Sequence, residues 1–378
     1  MIKEYKIIIT GGGSGGHTMP AVAVIETLEE YFKKINKKYI ILYIGSHNGI
    51  ERNIAQKFNI NYKSISTGKF RRYFSLKNII DIFNVINGYF KSLRIIKKFC
   101  PDLLFSTGGF VSVPPVIAAK RLKIPVIIHE QTIDAGLANK IASKFADKVC
   151  ITFHESKRYF PDNKTVITGI PLRKLIFNGS KERAYKRFGF DKKLPVVYFT
   201  GGGLGCHILN QIAINIIGEL SKKCNIIYQT GRSENNNDYD EMINMFNLLN
   251  TKYKNRVKIF DFIHEELPDV FSITDLAVAR SGAGTVNEFL ALKIPAIFIP
   301  LAIATNDEQY KNAEIIQKLG GAVIIRENDL NEKLLLNTIN EILFTKMINK
   351  MKINLKKAGF KNGSSNILDI IIKYLNIN

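Results

Sequence analysis

Six short apolar runs punctuate the first half of the chain: KIIIT (6–10), YIILYI (39–44), LLFS (103–106), PVIIH (125–129), KVCIT (148–152) and TVIT (165–168). Each is too brief for a helix and lacks polar alternation, the pattern of strands covered on both faces in a parallel sheet. Between most of them the spacing becomes helical. Val22, Ile25, Leu28 and Phe32 recur at intervals of three and four, and Pro20 is read into a first helical turn, where its missing N–H is tolerated. The second half repeats the rhythm with VVYFT (196–200), NIIYQ (225–229), VKIF (257–260), LAVAR (276–280), AIFI (296–299) and AVII (322–325). Alternating strand and helix predicts a doubly wound α/β domain, here twice. The expected division is a first domain over 1–168, a charged linker poor in strand signal over 169–194, and a second domain over 195–361. A last helix within 362–378 could pack on either domain, including back on the first.

Two nearly identical turns then draw attention: TGGGSGGH (10–17) and TGGGLGCH (200–207). Each follows the first strand of its half and opens the first helix, at the carboxyl edge of the sheet where such folds bind ligands. Glycine permits close approach, and the unpaired N–H groups of a helix start suit a phosphate. Two such domains facing each other would form a cleft. The first loop matches G-x-G-x-x-G through Gly11, Gly13 and Gly16, which alone is weak. The second strand ends in YIGSH with no ribose-binding carboxylate before Glu51, and Cys206 replaces the last glycine of the second loop. A nicotinamide-dependent oxidoreductase is therefore disfavoured.

A third stretch, ARSGAGTVNEFLALKIPAIFIPLAIATNDEQYKNA (279–313), places Ser281 to Thr285 at another helix start able to hold an anion. Glu288, about one turn in, can accept from two vicinal ribose hydroxyls, or can be a solvated acid favoured by the helix dipole. Gln309 and Asn312 lie three apart, where amides could read sugar hydroxyls or cap a helix; Asn306 is read as a cap.

Hydrophobic residues at 46% and charged residues at 23% indicate a folded chain without long disorder. There is no apolar run of about 18 residues to span a membrane. The start, MIKEYKIIITGGG, lacks a cleavage site and is not read as a signal peptide. Cys100, Cys150, Cys206 and Cys224 are scattered and read as buried free thiols. The net charge of +21 reflects lysines spread over the whole chain, as a coding bias would produce, yet it still attracts anionic partners. No zinc-finger spacing, RNP-like strand or recognition helix accompanies it, so no specific nucleic-acid partner is expected. The segment 69–98 mixes eight basic residues and one acid with Phe, Tyr, Ile and Leu, and reads as a peripheral surface for an anionic membrane. Within it Ile79, Ile82, Phe83 and Ile86 are expected to pack, leaving Arg71, Arg72 and Lys77 free.

The phrases GGGSGGHTMPA, STGGFVSVPPVIAAKRLKIPVIIHEQTIDAGLANK, TGIPLR, GGGLGCHILN, YQTGR and RSGAGTVNEFLALKIPAIFIP…DEQYKNA, in this order from about residue 6 to 325, resemble the MurG family of glycosyltransferases. That family adds N-acetylglucosamine to the undecaprenyl-pyrophosphoryl-muramyl-pentapeptide precursor of peptidoglycan. The resemblance implies two Rossmann-like domains in the GT-B arrangement. It also implies the donor UDP-N-acetylglucosamine held mainly by the second domain, a lipid-linked acceptor, no cofactor, no metal, and peripheral attachment to the cytoplasmic face of the cell membrane. By position it implies substrate contacts at Ser14, Gly15, Gly16, Thr132 and Asn139, and at Arg173 near the diphosphate. In the second half it implies Gly203 in the second loop, the Ile263 backbone at the uracil, Ala283, Gly284, Thr285, Val286, Asn287 and Glu288 along phosphate and ribose, and Gln309 at the sugar. Thr132, Ile170, Gly203 and Arg232 depart from the usual asparagine, asparagine, serine and lysine.

Transfer from an α-linked UDP-sugar to a β-linkage inverts the anomeric carbon, and needs a base for the acceptor hydroxyl and stabilisation of the departing UDP. Helix N-termini can supply the second. The only D-x-D, in DYDE (238–241), is read as loop. His17 is the candidate base, with hydrogen bonding to the loop or to a pyrophosphate as its other reading. Glu130 is the second candidate, or else an organiser of its loop. His207 is expected to be structural, and His47, His154 and His264 have no evident partners. Other GT-B enzymes, a glycolipid synthase or an epimerase, remain the rival reading, with a basic nucleic-acid-binding protein behind them.

Overall fold

The structure, a computed structural model, describes residues 3–68, 76–232, 236–360 and 362–377. Its chain forms two units, Met1–Arg173 with Lys361–Asn378, and Lys174–Phe360.

In the first unit, β1 (Glu4–Thr10), β2 (Lys38–Ser46), β3 (Asn61–Ile65), β4 (Leu103–Ser106), β5 (Val126–Glu130), β6 (Lys148–Ile151) and β7 (Thr165–Ile167) form one parallel sheet in the order β3-β2-β1-β4-β5-β6-β7. Thr10 pairs in register with Ile44 and Ser106, so the turns after β1, β2 and β4 open on one edge, where the strand order reverses. Successive β1 residues serve opposite faces. Ile7 and Ile9 join Val24, Leu28 and Phe32 in one core, and Ile8 joins Ile44, Ile96 and Val116 in the other. The last helix, Gly363–Leu375, completes the first of these cores with Ile367, Ile371 and Leu375 at spacings of four. Burying each such side chain stabilises by about 1.5–3 kcal/mol.

The first helix begins at Gly15, earlier than its apolar spacing indicated, so Pro20 falls in its second turn. There the proline ring leaves the Gly16 carbonyl without its i+4 donor. The basic helix Leu76–Phe99 packs through Gly88, Ser92 and Ile96, with Gly88 pressed against the Ser66 carbonyl. The expectation that Ile82, Phe83 and Ile86 pack is overturned: they are exposed with Phe90, Phe83 by 67%. The buried stripe at 88, 92 and 96 turns this other stripe to solvent. Arg71 and Arg72, and the side chains of Lys77 and Ile79, lie outside the described residues.

The second unit repeats the plan. β8 (Val196–Thr200), β9 (Asn225–Gln229), β10 (Val257–Phe260), β11 (Leu276–Ala279), β12 (Ala296–Phe298) and β13 (Ala322–Ile324) form a parallel sheet in the order β10-β9-β8-β11-β12-β13. Val197, Phe199, Leu276 and Val278 pack on Leu209, Ala213 and Ile216 of the helix His207–Leu220. The DYDE segment opens the helix Asp238–Leu248 and is not a loop; its three acids fall in the first turn, where the helix dipole favours them.

The stretch 169–194 is folded against one unit or the other. Ile170 O accepts from Gly363 N at 2.9 Å, Leu172 exchanges hydrogen bonds with Asn362 at 3.1 and 3.0 Å, and Arg173 reaches Glu26 within the first unit. Beyond Lys174, Arg183 grips buried Asp269 with two bonds, Nε to Oδ2 at 2.7 Å and Nη2 to Oδ1 at 2.6 Å, and holds its carboxyl below the usual range. That fork anchors the helix Lys181–Phe188 in the second unit. Of the cysteines, Cys150, Cys206 and Cys224 are buried, but Cys100 is exposed just past the end of its helix. Burial pushes the Cys150 and Cys224 thiols up to about 12, which makes them inert.

Candidate active site

β1 runs directly into the first glycine loop, inside which the helix Gly15–Lys34 starts. Gly13 has φ +87°, and a Cβ there would strike the Phe110 ring, so the turn itself requires glycine. At Gly15 an added Cβ would meet nothing within 4 Å. That glycine leaves space in front of the helix start; it does not relieve packing. Ser14 is the N-cap without a side-chain capping bond, and no acid occupies the first turn, so the N–H groups there suit an anion.

A carboxylate supports this loop from below. Glu51 is fully buried and accepts from Gly13 N at 3.2 Å, from Ser46 N at 2.9 Å and from the Ser46 hydroxyl. The Tyr43 hydroxyl donates to Gly11 O, and the Tyr62 hydroxyl to Ser46 O at 2.6 Å. In the sequence Glu51 stands out only as a carboxylate too far past the second strand for a ribose. Its spacing of five from Ser46 on a strand-to-helix turn was the available signal.

His17 is the third residue of the helix and half-buried. Its Nδ1 lies 2.9 Å from Thr107 O, which can only accept, so Nδ1 carries the proton and Nε2 keeps its lone pair. The Thr107 hydroxyl returns a bond to His17 O at 2.7 Å, and Gln131 Nε2 donates to the same Thr107 carbonyl at 2.7 Å. The ring is thereby fixed at Nδ1 by the Thr107 carbonyl, which Gln131 holds from just past the end of β5.

Glu130, at the end of β5, is 1% exposed and its carboxylate takes four donors. These are Thr132 N at 3.0 Å and Thr132 Oγ1 at 2.8 Å on Oε1, with Gly136 N at 3.1 Å and Asn139 Nδ2 at 3.0 Å on Oε2. Asn139 also donates to His129 O at 3.0 Å, and a Cβ at Gly108 would come within 2.7 Å of its amide. Glu130, Thr132 and Asn139 thus form one knot that shapes residues 131–139 beside the Thr107–Gly109 turn. Next to it, His129 is fully buried. Its Nε2 donates to Gly169 O at 3.0 Å, and desolvation, with a smaller contribution from His17, pushes its pKa down to about 4. Arg173 stands apart from this group. Its guanidinium bonds Glu26 at 2.9 Å and 2.8 Å and stacks on Phe58, and Glu26 lies eleven residues, about 16 Å, along the helix from Gly15.

In the second unit, the loop after β8 turns at Gly202 (φ +84°) and Gly205 (φ +82°) and packs on Thr230–Arg232, with Arg232 N donating to Gly203 O at 3.0 Å. Gln229 ties the second glycine loop to the expected contact Ile263. Its Nε2 donates to Thr200 Oγ1 and Gly202 O, each at 3.1 Å, while its Oε1 accepts from Ile263 N at 2.9 Å. Arg232 is held by Asp261 at 2.6 Å.

The helix Ala283–Leu292 starts after β11 with Gly282 as N-cap, no side-chain cap and no acid in its first turn; Gly282 and Gly284 are open to an added Cβ. Ala283, Gly284 and Thr285 are half-buried there, and Glu288 is half-buried one turn further on. Val286 and Asn287 are buried instead, Asn287 bonding Ala283 O at 2.8 Å. Asn312 is buried too, its amide 3.4 Å from Ser281 O, so it supports this turn from within. Gln309 Oε1 accepts from Leu301 N at 3.1 Å, and Ala302 N donates at 2.8 Å to Glu327, which is paired with Arg280 at 2.9 and 3.0 Å. The N-cap of the helix Glu308–Lys318 is Asp307, not Asn306; both residues hold left-handed φ, +55° and +56°.

Residues 7–151 match the model of the glycosyltransferase family 28 N-terminal domain, and residues 196–367 that of its C-terminal domain. The chain belongs to glycosyltransferase family 28. This glycosyltransferase is 43% identical over 375 residues, 98% of its own length and 99% of the relative's, to the UDP-N-acetylglucosamine--N-acetylmuramyl-(pentapeptide) pyrophosphoryl-undecaprenol N-acetylglucosamine transferase of Clostridium perfringens. It is 40% identical to the Clostridium novyi enzyme of the same name, over 99% of both chains. Among solved structures it is similar to MurG of Acinetobacter baumannii, with a TM-score of 0.75, 24% identity, and 98% and 99% coverage. The UDP-GlcNAc 2-epimerase of Neisseria meningitidis shares the fold at a TM-score of 0.65 and 15% identity, over 99% and 100% of the two chains. The MurG resemblance read from phrases between about residues 6 and 325 therefore extends over nearly the whole chain, and the fold is α/β of the GT-B class.

Proposed function

We propose that this glycosyltransferase moves N-acetylglucosamine from UDP-N-acetylglucosamine to the C4 hydroxyl of N-acetylmuramyl-pentapeptide pyrophosphoryl-undecaprenol, the step from lipid I to lipid II. The observation that carries this reading is the end-to-end identity of 43% with a relative named for that transfer.

The donor binds the second unit. Its diphosphate lies at the open helix starts, its ribose at Glu288 and its sugar near Gln309, which gives up Leu301 N to do so. Ile263, whose N–H is held by Gln229, offers the uracil its carbonyl. The acceptor binds the first unit, with its pyrophosphate at Ser14, Gly15 and Gly16. The acceptor oxygen attacks the anomeric carbon as the bond to the β-phosphate oxygen breaks, and the electron pair leaves with UDP. His17 Nε2 takes the hydroxyl proton, because Nδ1 is already committed to Thr107. Glu130, occupied by four donors, is a positioning residue for the 131–139 loop. Arg173, tied to Glu26, reaches a diphosphate only by exchanging that partner.

No helix among the described residues is long and apolar enough to cross a membrane. Ile82, Phe83, Ile86 and Phe90 form an exposed apolar stripe, and Leu137 and Ile141 add to the exposed apolar surface of the same unit. This surface with its surrounding lysines fits peripheral contact with the anionic cytoplasmic leaflet, where a lipid-linked acceptor stays.

Release of UDP from UDP-N-acetylglucosamine tests the reading. Release that requires the muramyl-pentapeptide lipid supports transfer; equal release without acceptor contradicts it and favours an epimerase-like reaction.

A further inference from the structure

His207 opens the helix His207–Leu220 immediately after the second glycine loop. Its side chain is 57% exposed, yet three buried polar groups are arranged behind it. Nδ1 lies 2.6 Å from Asp238 Oδ1, and that carboxylate is 6% exposed. Asp238 Oδ2 accepts from Asn210 Nδ2 at 2.7 Å. Asn210 in turn donates to Thr230 O at 3.1 Å and accepts from the Tyr228 hydroxyl at 2.9 Å. Asn210 and Tyr228 are fully buried.

Taking a carboxylate out of water is unfavourable unless it is paired and hydrogen-bonded. A surface imidazole with only a packing role needs no such support. The network fixes the ring at Nδ1 and leaves Nε2 as its free hydrogen-bonding atom. Gly203 gives the adjacent loop no side chain, so His207 is the polar side chain at the junction of loop and helix.

We infer that His207 is a further catalytic residue, whose Nε2–H contacts the β-phosphate of the departing uridine diphosphate while Asp238 holds the ring. This rests on the donor site proposed above. As the bond between the anomeric carbon and the phosphate oxygen breaks, its electron pair stays on the β-phosphate. Donation from Nε2–H to that phosphate, with Nδ1 held on Asp238, offsets the developing charge. Asp238 is a positioning residue.

The contact is specific to the second phosphate, which sets the test. Isothermal titration of the full-length enzyme with UDP and with UMP should show His207→Gln weakening UDP by about tenfold or more with UMP unaffected, together with a fall in kcat. Asp238→Asn should weaken UDP in the same selective way. His207→Lys, which supplies an N–H donor at the same place, should recover much of the preference for UDP, and it carries the test if the glutamine variant fails to fold. Equal losses for UDP and UMP, or no loss, in a folded His207→Gln protein overturn the inference while leaving the donor reading intact. Wild-type protein that binds neither nucleotide overturns both.

Discussion

His17 Nδ1 donates to the Thr107 carbonyl across 2.9 Å, and this single bond decides which nitrogen of the ring can act as a base. Because a carbonyl cannot donate, the neutral ring is locked with its lone pair on Nε2, and the Gln131 amide on the same carbonyl keeps the acceptor in place. Replacing His17 with Ala should lower kcat by about a hundredfold or more, while titration calorimetry finds UDP-N-acetylglucosamine binding unchanged. A raised KM for the lipid with kcat intact would instead assign His17 to the acceptor pyrophosphate.

Glu130 makes a different prediction, because it works through four buried hydrogen bonds. Glu130→Ala leaves those donors unpaired and should destabilise the first unit by about 2–3 kcal/mol in urea unfolding. Unaltered stability would mean the 131–139 loop is held by other contacts.

His129 links folding to pH. Burial pushes its pKa down to about 4 from 6.5, so between these values the unfolded chain binds a proton that the folded chain does not. Its contribution is therefore fully present above pH 6.5 and is lost as pH falls towards 4, by up to about 3 kcal/mol. Urea titrations across this window should show a slope that His129→Gln reduces; an identical slope in the variant would sink the assignment.

The exposed stripe on Leu76–Phe99 predicts membrane contact by apolar side chains as well as by charge. Phe83→Glu combined with Ile86→Glu should leave the circular dichroism spectrum intact and abolish sedimentation with acidic vesicles. Undiminished sedimentation would place the membrane surface elsewhere.

Much of this was legible in the sequence because strand runs, glycine turns and long family phrases are local signals. The two sheets and the loops at Gly11–Gly16 and Gly201–Gly205 follow from them. What the sequence hid depends on partners distant in the chain. Glu51 supports Gly13 and Asp238 supports His207, while Glu130 is consumed by nearer donors, Thr132, Gly136 and Asn139, that only the folded 131–139 loop turns back onto it. Ile82, Phe83 and Ile86 differ from expectation because apolar residues on a helix imply burial only when no other face of that helix already fills the core. The stretch 169–194 looked like a linker because the Arg183–Asp269 fork that folds part of it spans 86 residues.

The central claim, transfer to a lipid-linked muramyl sugar, is tested most directly by incubating the enzyme with radiolabelled UDP-N-acetylglucosamine and muramyl-pentapeptide pyrophosphoryl-undecaprenol, then determining the anomeric configuration of the labelled product. The account predicts label in a disaccharide lipid with a β-linkage to the C4 oxygen. Label that stays entirely in nucleotide sugar, or a product with retained α-configuration, would contradict it.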